Sequence, residues 1–479
     1  MVNGPPMLTD LLIFAVVGVM VVHSYLLWRK GQWLLMNPLN LFWAGCVVCY
    51  VQQPLGLYHI ISTWQTEETI DWTLFWCIFA ILCVGVGYNL RAGVRLGAKL
   101  PRMPARLKQS HVAAWGLVLI GVGLFGYGYQ AATVGGFNNW VQFGRGGTDW
   151  SQMTGYLTLL ADFLPAGTLL ILLSTQIFHS STPVRVLAWC INVLMLLFLV
   201  YLGTRSRTIM YSMSMLAAWQ VALPTERRRI TVRSAVALLA IFLALDIVTK
   251  FQAYYRGSFT NLSFNLDQID LEKASYRVLP HLVSGAESDP AEDARQSRGM
   301  EFNCVATVVN LVPSQSPYNY GYTMLELFTR PIPHSLWPGK RFPLLESQYP
   351  VMLFGQLSNS PIDGDGIHPM LAGPAFTYVG YWYHVAGAIG LIIGGFFTGA
   401  MFRTIQEIRT REPGNQGNIL LYVTLLPIGF TEAAGTPFTW VFTLPFIFIP
   451  MIFIIYASRD SLESGSIPSG RMAFHAGVA

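Results

Sequence analysis

The sequence contains few charged residues. Only 11% of its 479 residues are Asp, Glu, Lys or Arg, whereas a soluble domain usually carries about 25%. Hydrophobic residues make up 53% of the chain, and the mean hydropathy is +0.45. A chain of this length with so little charge cannot cover itself with polar surface, which excludes a soluble globular protein. We attribute the small basic excess to membrane topology and not to nucleic-acid binding.

Cysteine is also scarce, and its positions do not indicate disulfides. Five of the six cysteines lie in apolar runs, and Cys304 stands alone in a polar segment. Cys46 and Cys49 have CxxC spacing, but no His or second pair lies nearby, so we favour packing over metal binding. The sequence also lacks a Walker motif, a GxGxxG before a helix, an HExxH motif and internal repeats. These absences argue against an ATP-driven transporter subunit.

Long apolar runs are present instead. They predict an all-α polytopic membrane protein with about eleven transmembrane helices. The first run has no basic n-region before it, so we expect a first helix and not a cleaved signal peptide. The predicted helices cover residues 8–28, 33–51, 72–88, 113–129, 153–177, 186–202, 209–223, 234–248, 374–401, 419–430 and 438–456.

The distribution of basic residues predicts the side on which each loop lies. Segment 91–109 carries six basic residues and no acid, which marks it as cytoplasmic. Counted from there, the basic residues at 226–233, at 403–411 and at Arg459 fall on the same side. The N-terminus is then periplasmic and the C-terminus cytoplasmic. The predicted organisation is helices 1–8 in residues 1–248, a large periplasmic loop at 249–371, helices 9–11 in 372–457 and a cytoplasmic tail at 458–479.

Several charged residues are predicted near the outer membrane face. Arg205 and Arg207 lie in the short turn between predicted helices 6 and 7. Arginine at the membrane is costly unless it is paired or hydrated, so both indicate an anionic partner. Snorkelling arginines bound to helix-end carbonyls are the alternative. We interpret the acids Asp162, Asp246 and Glu432 mainly as partners that neutralise such arginines.

The predicted outer loop, residues 249–371, is too long for a simple connector. Its stretch 330–341 reads Arg-Pro-Ile-Pro-His-Ser-Leu-Trp-Pro-Gly-Lys-Arg, and the prolines prevent a regular helix. Arg330 and Lys340 are suited to hold a phosphate, and His334 to move a proton near neutral pH. An interfacial anchor that only fixes the loop is the alternative, since tryptophan favours the headgroup level.

This pattern resembles the oligosaccharide repeat-unit polymerases, the Wzy-type enzymes of bacterial O-antigen, capsule and exopolysaccharide assembly. The resemblance rests on Gly-Thr-Arg at 203–205 between two middle helices, on the large outer loop, and on segment 332–341 before a Gly-rich helix. It extends in pattern over residues 185–400. His334 stands where the family usually has arginine, and Arg341 where it usually has proline.

The resemblance implies a GT-C-like membrane glycosyltransferase of the bacterial inner membrane. Such enzymes join repeat units carried on undecaprenyl diphosphate at the periplasmic face, with the diphosphate as leaving group and a sugar hydroxyl as acceptor. It implies no cofactor and no required metal. The implied partners are the lipid-linked oligosaccharide, membrane lipid, a chain-length regulator and a flippase, with no nucleic acid.

The resemblance also assigns roles to residues, because arginines can stabilise charge on a leaving diphosphate. His334 and Glu301 are the candidate catalytic bases, with His368 as a further alternative. Asp363 and Asp365 have DxD spacing, but a plain turn is the favoured interpretation. The residues assigned to diphosphate or glycan binding are Arg205, Arg207, Arg256, Arg298, Arg330 and Lys340.

Two other functions stay open at this point. A lipid-linked oligosaccharide flippase or exporter would also place charge inside a helix bundle. It would not need the long outer loop, and it usually has more helices and repeat symmetry. An O-antigen ligase shares the layout and the donor but uses a different acceptor. A noncatalytic assembly protein would explain the loop but not the outer arginines.

Overall fold

The computed structural model describes residues 6–30, 36–62, 65–133, 135–136, 160–202, 205–222, 301–314, 316–321, 337, 377–435 and 439–460. Within these ranges the structure is helical, and the only β feature is an isolated bridge between Leu107 and Arg459. The helices are α1 (Met7–Arg29), α2 (Pro38–Val47), a π turn (Val48–Gln52), α3 (Gln53–Ile61), α4 (Glu67–Asn89), α5 (Arg91–Lys99), α6 (Gln109–Thr133), α7 (Phe163–Ile177), α8 (Thr182–Tyr201), α9 (Arg205–Ala222), α10 (Glu301–Leu311), α11 (Thr377–Arg411), α12 (Gln416–Leu425), α13 (Ile428–Ala434) and α14 (Thr439–Ala457).

Seven segments of the described chain are long and apolar enough to cross a bilayer. They are α1, α4, α6, α7 with its preceding turn, α8, α11 and the α12–α13 pair. The chain is therefore a multi-pass helical membrane protein, as its composition predicts. The predicted helix at 234–248 lies outside the described residues.

The basic segments that the charge pattern places on one side also meet at one end of the bundle. Residues 101–108, here named the clamp, bind two distant parts of the chain. The Lys108 amide donates to the Ser458 carbonyl at 2.7 Å. The Gln416 amide donates to the Ala105 carbonyl at 3.1 Å. The clamp thus joins the start of α12 to the end of α14. We name the end of the bundle at which these segments meet the basic end.

The ends of α1, α4 and α11 lie at the basic end as well. His23 of α1 contacts the Asn89 side chain of α4 at 2.8 Å. The Arg411 guanidinium of α11 donates to the Leu100 carbonyl at 3.2 Å. The common side of the described basic segments is therefore confirmed. That this side is cytoplasmic stays a prediction.

Helix α11 consists of two helices joined by a sharp reversal. At Gly387 φ is 58° and ψ is −134°, which is not helical. A Cβ on Gly394 would lie 2.3 Å from the Trp382 ring, although twelve residues of straight helix would separate them by about 18 Å. We name residues 377–385 the short arm of α11 and residues 388–411 its long arm.

The sequence predicts one crossing helix at 374–401, and a crossing segment is confirmed at Thr377–Arg411. The predicted continuous helix is wrong, because the short arm folds back along the long arm. A glycine is required at the reversal for two reasons. The left-handed backbone at Gly387 is strained for any other residue, and a Cβ there would lie 2.8 Å from the Tyr318 hydroxyl. Asn319 and Tyr320 cover the reversal by donating their amides to carbonyls at the end of the short arm, at 3.0 and 2.8 Å.

The long arm of α11 packs closely against α4. A Cβ on Gly399 would lie 2.3 Å from the Val84 carbonyl oxygen, and one on Gly395 would lie 2.3 Å from the Cys83 Cβ. Without a side chain at either position, the two backbones approach directly. Small residues promote helix packing in membranes in this way, because the hydrophobic effect provides no driving force for helices to associate in lipid.

Helices α7, α8 and α9 are joined by side-chain hydrogen bonds instead. The Tyr211 hydroxyl of α9 donates to the Asn192 amide oxygen of α8 at 2.5 Å. It also lies 2.7 Å from the Thr168 hydroxyl of α7. The Asn192 side-chain nitrogen donates to the Thr168 backbone carbonyl at 3.0 Å. All three side chains are buried, so each finds its polar partner within the bundle.

Candidate functional site

Helix α10 lies inside the segment predicted as the large outer loop, yet it is enclosed by other helices. Residues 302–308 are each at most 3% exposed, and the helix packs against α3, α4 and α11. Its apolar sequence, interrupted by Asn303 and Thr307, explains this burial. Eleven residues are too few to cross a bilayer. Helix α10 therefore enters the bundle without spanning it.

Glu301 is the first residue of α10, and Gln53 holds its carboxylate. The Gln53 side-chain nitrogen donates to Glu301 Oε2. The Gln53 side-chain oxygen accepts the Phe302 backbone amide at 2.9 Å. One carboxamide thus fixes the Glu301 side chain and caps the helix. A carboxylate is favoured here because the first turn of a helix carries partial positive charge.

A second glutamine fixes the next turn of α10. The Gln65 side-chain nitrogen lies 2.9 Å from both Asn303 Oδ1 and Thr307 Oγ1. All three side chains are at most 5% exposed. The Gln65 oxygen and the Asn303 nitrogen are also buried, and neither forms a hydrogen bond with a described residue. The candidate site consists of these two hydrogen-bonded groups along α10: Gln53 with Glu301, and Gln65 with Asn303 and Thr307.

The short arm of α11 begins close to the same stretch of α2–α3. Within the π turn, the Tyr50 hydroxyl donates to Thr377 Oγ1 at 2.8 Å. It also accepts the Val379 amide at 3.3 Å. The first turns of two short helices, at Glu301 and Thr377, are therefore bound by residues 50 and 53 of one continuous helical stretch. A π turn at such a point is typical of functional sites.

The site lies in the half of the bundle away from the basic end. Gln53 is eight residues before the end of α3, or about 12 Å along the helix axis. At the level of the short arm, the Trp76 ring of α4 contacts the Tyr383 ring with centroids 5.3 Å apart. Glu301 thus lies inside the bundle and close to the end where the outer loop is predicted.

Arg207 lies near the same end of the bundle and is paired. Its guanidinium is 3.0 Å from the Asp162 carboxylate, with side-chain exposures of 44% and 25%. The expected neutralisation of Arg207 by Asp162 is confirmed. Arg205 begins α9, but its side chain is outside the description. Among the described residues, no hydrogen bond or ion pair joins Arg207 to Glu301.

Glu432 lies at the centre of the bundle on α13. It is fully buried, and it accepts a hydrogen bond from the Thr398 hydroxyl at 3.4 Å. Helix α13 lies between the candidate site and the region of the Arg207–Asp162 pair. Thr431 contacts Met210 of α9 at 2.9 Å, and a Cβ on Gly45 of α2 would lie 2.6 Å from the Ala433 Cβ.

Several predicted site residues lie outside the described residues, so their roles stay predictions. Within the same predicted loop, Trp337 is described and is 46% exposed. Within the described chain, no three His, Cys, Asp or Glu side chains come together as a metal site would require. The residues outside the description are Asp246, Arg256, Arg298, Arg330, His334, Lys340, Asp363, Asp365 and His368.

Sequence reasoning missed the two glutamines that organise the site. Gln53 and Gln65 stand beside apolar runs, and a polar amide at such a position is costly unless it is hydrogen-bonded. That signal was available, but their partners on α10 are more than two hundred residues away. Comparison with known proteins adds no assignment, since no family model, curated protein or solved structure matches this chain.

Proposed function

We propose that this protein polymerises undecaprenyl-diphosphate-linked oligosaccharide repeat units into a surface polysaccharide at the periplasmic face of a bacterial inner membrane. In this proposal eleven helices in a GT-C-like arrangement surround the site. The basic end faces the cytoplasm, and the predicted outer loop belongs to the periplasmic side. The motif resemblance at residues 203–205 and 332–341 suggests the reaction, and the geometry of α10 supplies a candidate base.

The observation that carries the proposal is the placement of Glu301. Its carboxylate is half-buried, and the Gln53 carboxamide holds it at the start of a buried helix. A carboxylate fixed in this way can take up a proton without first reorganising. Further along the same helix, the buried Gln65 oxygen and Asn303 nitrogen are an acceptor and a donor, which is the pair of groups that a sugar hydroxyl can satisfy.

The proposed reaction transfers one glycosyl group. The acceptor sugar hydroxyl attacks the anomeric carbon of the donor chain, and a new C–O bond forms. The bond from that carbon to the diphosphate oxygen breaks, and the undecaprenyl diphosphate leaves with the electron pair. The Glu301 carboxylate takes the hydroxyl proton. His334 is the alternative base.

The arginines serve the leaving group in this proposal. Charge accumulates on the diphosphate as its bond to the sugar breaks, and positioned guanidinium groups stabilise that charge. Arg207 is already paired with Asp162, so it can contribute only part of its charge to a substrate. We therefore give Arg205 and Arg330 more weight than Arg207.

The test is a gene deletion in the native host, complemented with single variants. Surface and lipid-linked glycans are separated by size, and the side of the membrane that holds the lipid-linked pool is determined. Deletion is expected to leave single repeat units at the outer face and no ladder. Glu301→Gln is expected to reduce polymer by about 100-fold or more at unchanged abundance, and Glu301→Asp is expected to retain part of it.

Glu68→Gln is the matched control, because Glu68 is an exposed acid at the start of α4. It is expected to give a full ladder. Units trapped on the cytoplasmic side after deletion would identify a flippase, and long polymer left on the lipid carrier would identify a ligase. An unchanged glycan profile would exclude glycan assembly altogether. A full ladder with Glu301→Gln would remove this residue from the proposal.

A further inference from the structure

Helix α5 turns away from α4 immediately after the membrane-crossing segment ends. A single extended residue, Leu90 with φ −66° and ψ 142°, separates the two helices. Glycines attach α5 to the bundle. A Cβ on Gly93 would lie 2.6 Å from the Ala400 carbonyl oxygen, and one on Gly97 would lie 2.5 Å from the Glu407 Cβ. The glycine face of α5 therefore rests directly on the long arm of α11.

Side-chain bonds fix α5 in this position. The Thr404 hydroxyl donates to the Gly93 carbonyl at 3.1 Å. The Arg411 guanidinium donates to the Ala98 carbonyl at 3.2 Å. Helix α5 thus has a defined orientation at the basic end, and its outward face is set by the structure.

That outward face carries three cations. Arg91, Arg95 and Lys99 follow each other at intervals of four residues, which places them on one side of a helix. This side is opposite Gly93 and Gly97, and all three cations are exposed. Segment 90–109 contains no acid. None of the three cations forms an ion pair with a described residue, so their charge is directed outward.

Apolar side chains flank the row of cations. Leu90, Val94 and Leu96 are 40%, 38% and 54% exposed. A helix that combines exposed apolar flanks with basic side chains is suited to lie in the headgroup layer. The long arginine and lysine side chains can reach phosphates while the apolar residues contact acyl chains. Water alone would satisfy the cations but not the apolar flanks.

We propose that α5 is a binding site for anionic phospholipid headgroups. Arg91 and Arg95 hold the headgroup phosphates in this site, Lys99 adds charge, and Leu96 contacts the adjoining acyl chains. The inference does not rest on the proposed enzymatic function. A lipid is favoured over nucleic acid or free phosphate because α5 lies at the end of a membrane-crossing helix and exposes apolar residues beside its cations.

The test places an environment-sensitive probe on α5. Leu96→Cys is labelled with bimane in a Cys190→Ala background, because Cys190 is exposed and the other five cysteines are buried. The protein is reconstituted in phosphatidylcholine vesicles that contain either brominated phosphatidylglycerol or brominated phosphatidylcholine. Quenching by the two lipids gives their relative binding constant at α5.

Phosphatidylglycerol is expected to quench at several-fold lower mole fraction than phosphatidylcholine. A basic residue near the surface contributes about fivefold in lipid affinity, so two such residues can account for the whole several-fold preference. Arg91→Gln with Arg95→Gln is therefore expected to reduce the preference to parity. The matched control is Arg29→Gln with Lys30→Gln. These are two exposed cations elsewhere at the basic end, and their removal is expected to leave the preference unchanged.

Three results would overturn the proposal. Absence of quenching by either lipid would place α5 in water. Equal quenching by both lipids in the labelled parent protein would show that no anionic headgroup is selected. Loss of the preference in inorganic phosphate but not in sodium chloride of equal ionic strength would assign the cations to a free anion.

Discussion

Two regions of the bundle solve the same packing problem by different means. The contact between α4 and the long arm of α11 uses glycines, so backbone meets backbone at Gly395 and Gly399. The contact among α7, α8 and α9 uses the hydrogen bonds of Thr168, Asn192 and Tyr211. Both kinds of contact hold helices together in lipid, where the hydrophobic effect provides no driving force for their association.

The two regions therefore differ in the substitutions that they tolerate. A glycine contact depends on shape, and any added side chain meets a backbone atom that cannot move aside. A hydrogen-bonded contact depends on individual polar atoms, so the loss of one atom removes a limited amount of energy. The candidate site depends on the same two helices as the glycine contact, because α10 packs on α4 and α11. Its geometry therefore depends on the less tolerant region.

The largest expected effect is from Gly399→Leu. A Cβ at this position would lie 2.3 Å from the Val84 carbonyl and 2.4 Å from the Tyr88 amide, so α4 and α11 must separate. We expect a loss of more than about 4 kcal/mol and no monodisperse peak in size-exclusion chromatography after detergent extraction. Gly121→Leu is the control, since nothing lies within 4 Å of a Cβ there. A normal peak for both variants would refute the shape argument.

An intermediate effect is expected from the hydrogen-bonded region. Asn192→Leu and Tyr211→Phe should each reduce stability by about 1–2 kcal/mol, with a coupling energy of about 0.6–1.7 kcal/mol between them. Thermal unfolding of both single variants and the double variant measures this. The outward Leu194, 65% exposed, provides the control variant Leu194→Ala. Strict additivity of the two single effects would show that the bond contributes no stability.

The smallest effect is expected at the Arg207–Asp162 pair. Its side chains are 44% and 25% exposed, and pairs in contact with water contribute at most about 1 kcal/mol. Arg207→Gln should therefore lower the unfolding midpoint only slightly, and less so at 1 M salt. The exchange of both residues, Arg207→Asp with Asp162→Arg, should restore it. A drop as large as that of Asn192→Leu would place this pair among the main contacts of the bundle.

The sequence predicts the long helices well because each is encoded locally by an apolar run of bilayer length. Predicted helix 8–28 lies within α1, 72–88 within α4 and 113–129 within α6. The common side of the basic segments and the pairing of Asp162 with an outer arginine were also predictable, since both follow from the energy of charge near a membrane.

The features that shape the candidate site were not predictable in the same way. Helix α10 is too short for a spanning signal, and its burial depends on Gln53 and Gln65, which are distant in sequence. The reversal at Gly387 lies within one apolar run, so the hydropathy of the sequence shows no break that would indicate two helices. Helix α5 was expected to be a basic loop, because its few apolar residues do not form a run long enough to predict a membrane helix. In each case tertiary contacts decide the structure.

The clamp sets an order for the assembly of this protein. Its residues 101–108 leave the ribosome early, but its partner Ser458 is made some 350 residues later. Helices α1 to α9 must therefore remain in the membrane without the hydrogen bond between Lys108 and Ser458 until α14 has been synthesised and inserted. A ribosome that stalls before α14 leaves the clamp without its final partner. The contact between the clamp and the end of α14 can form only when translation of α14 is complete.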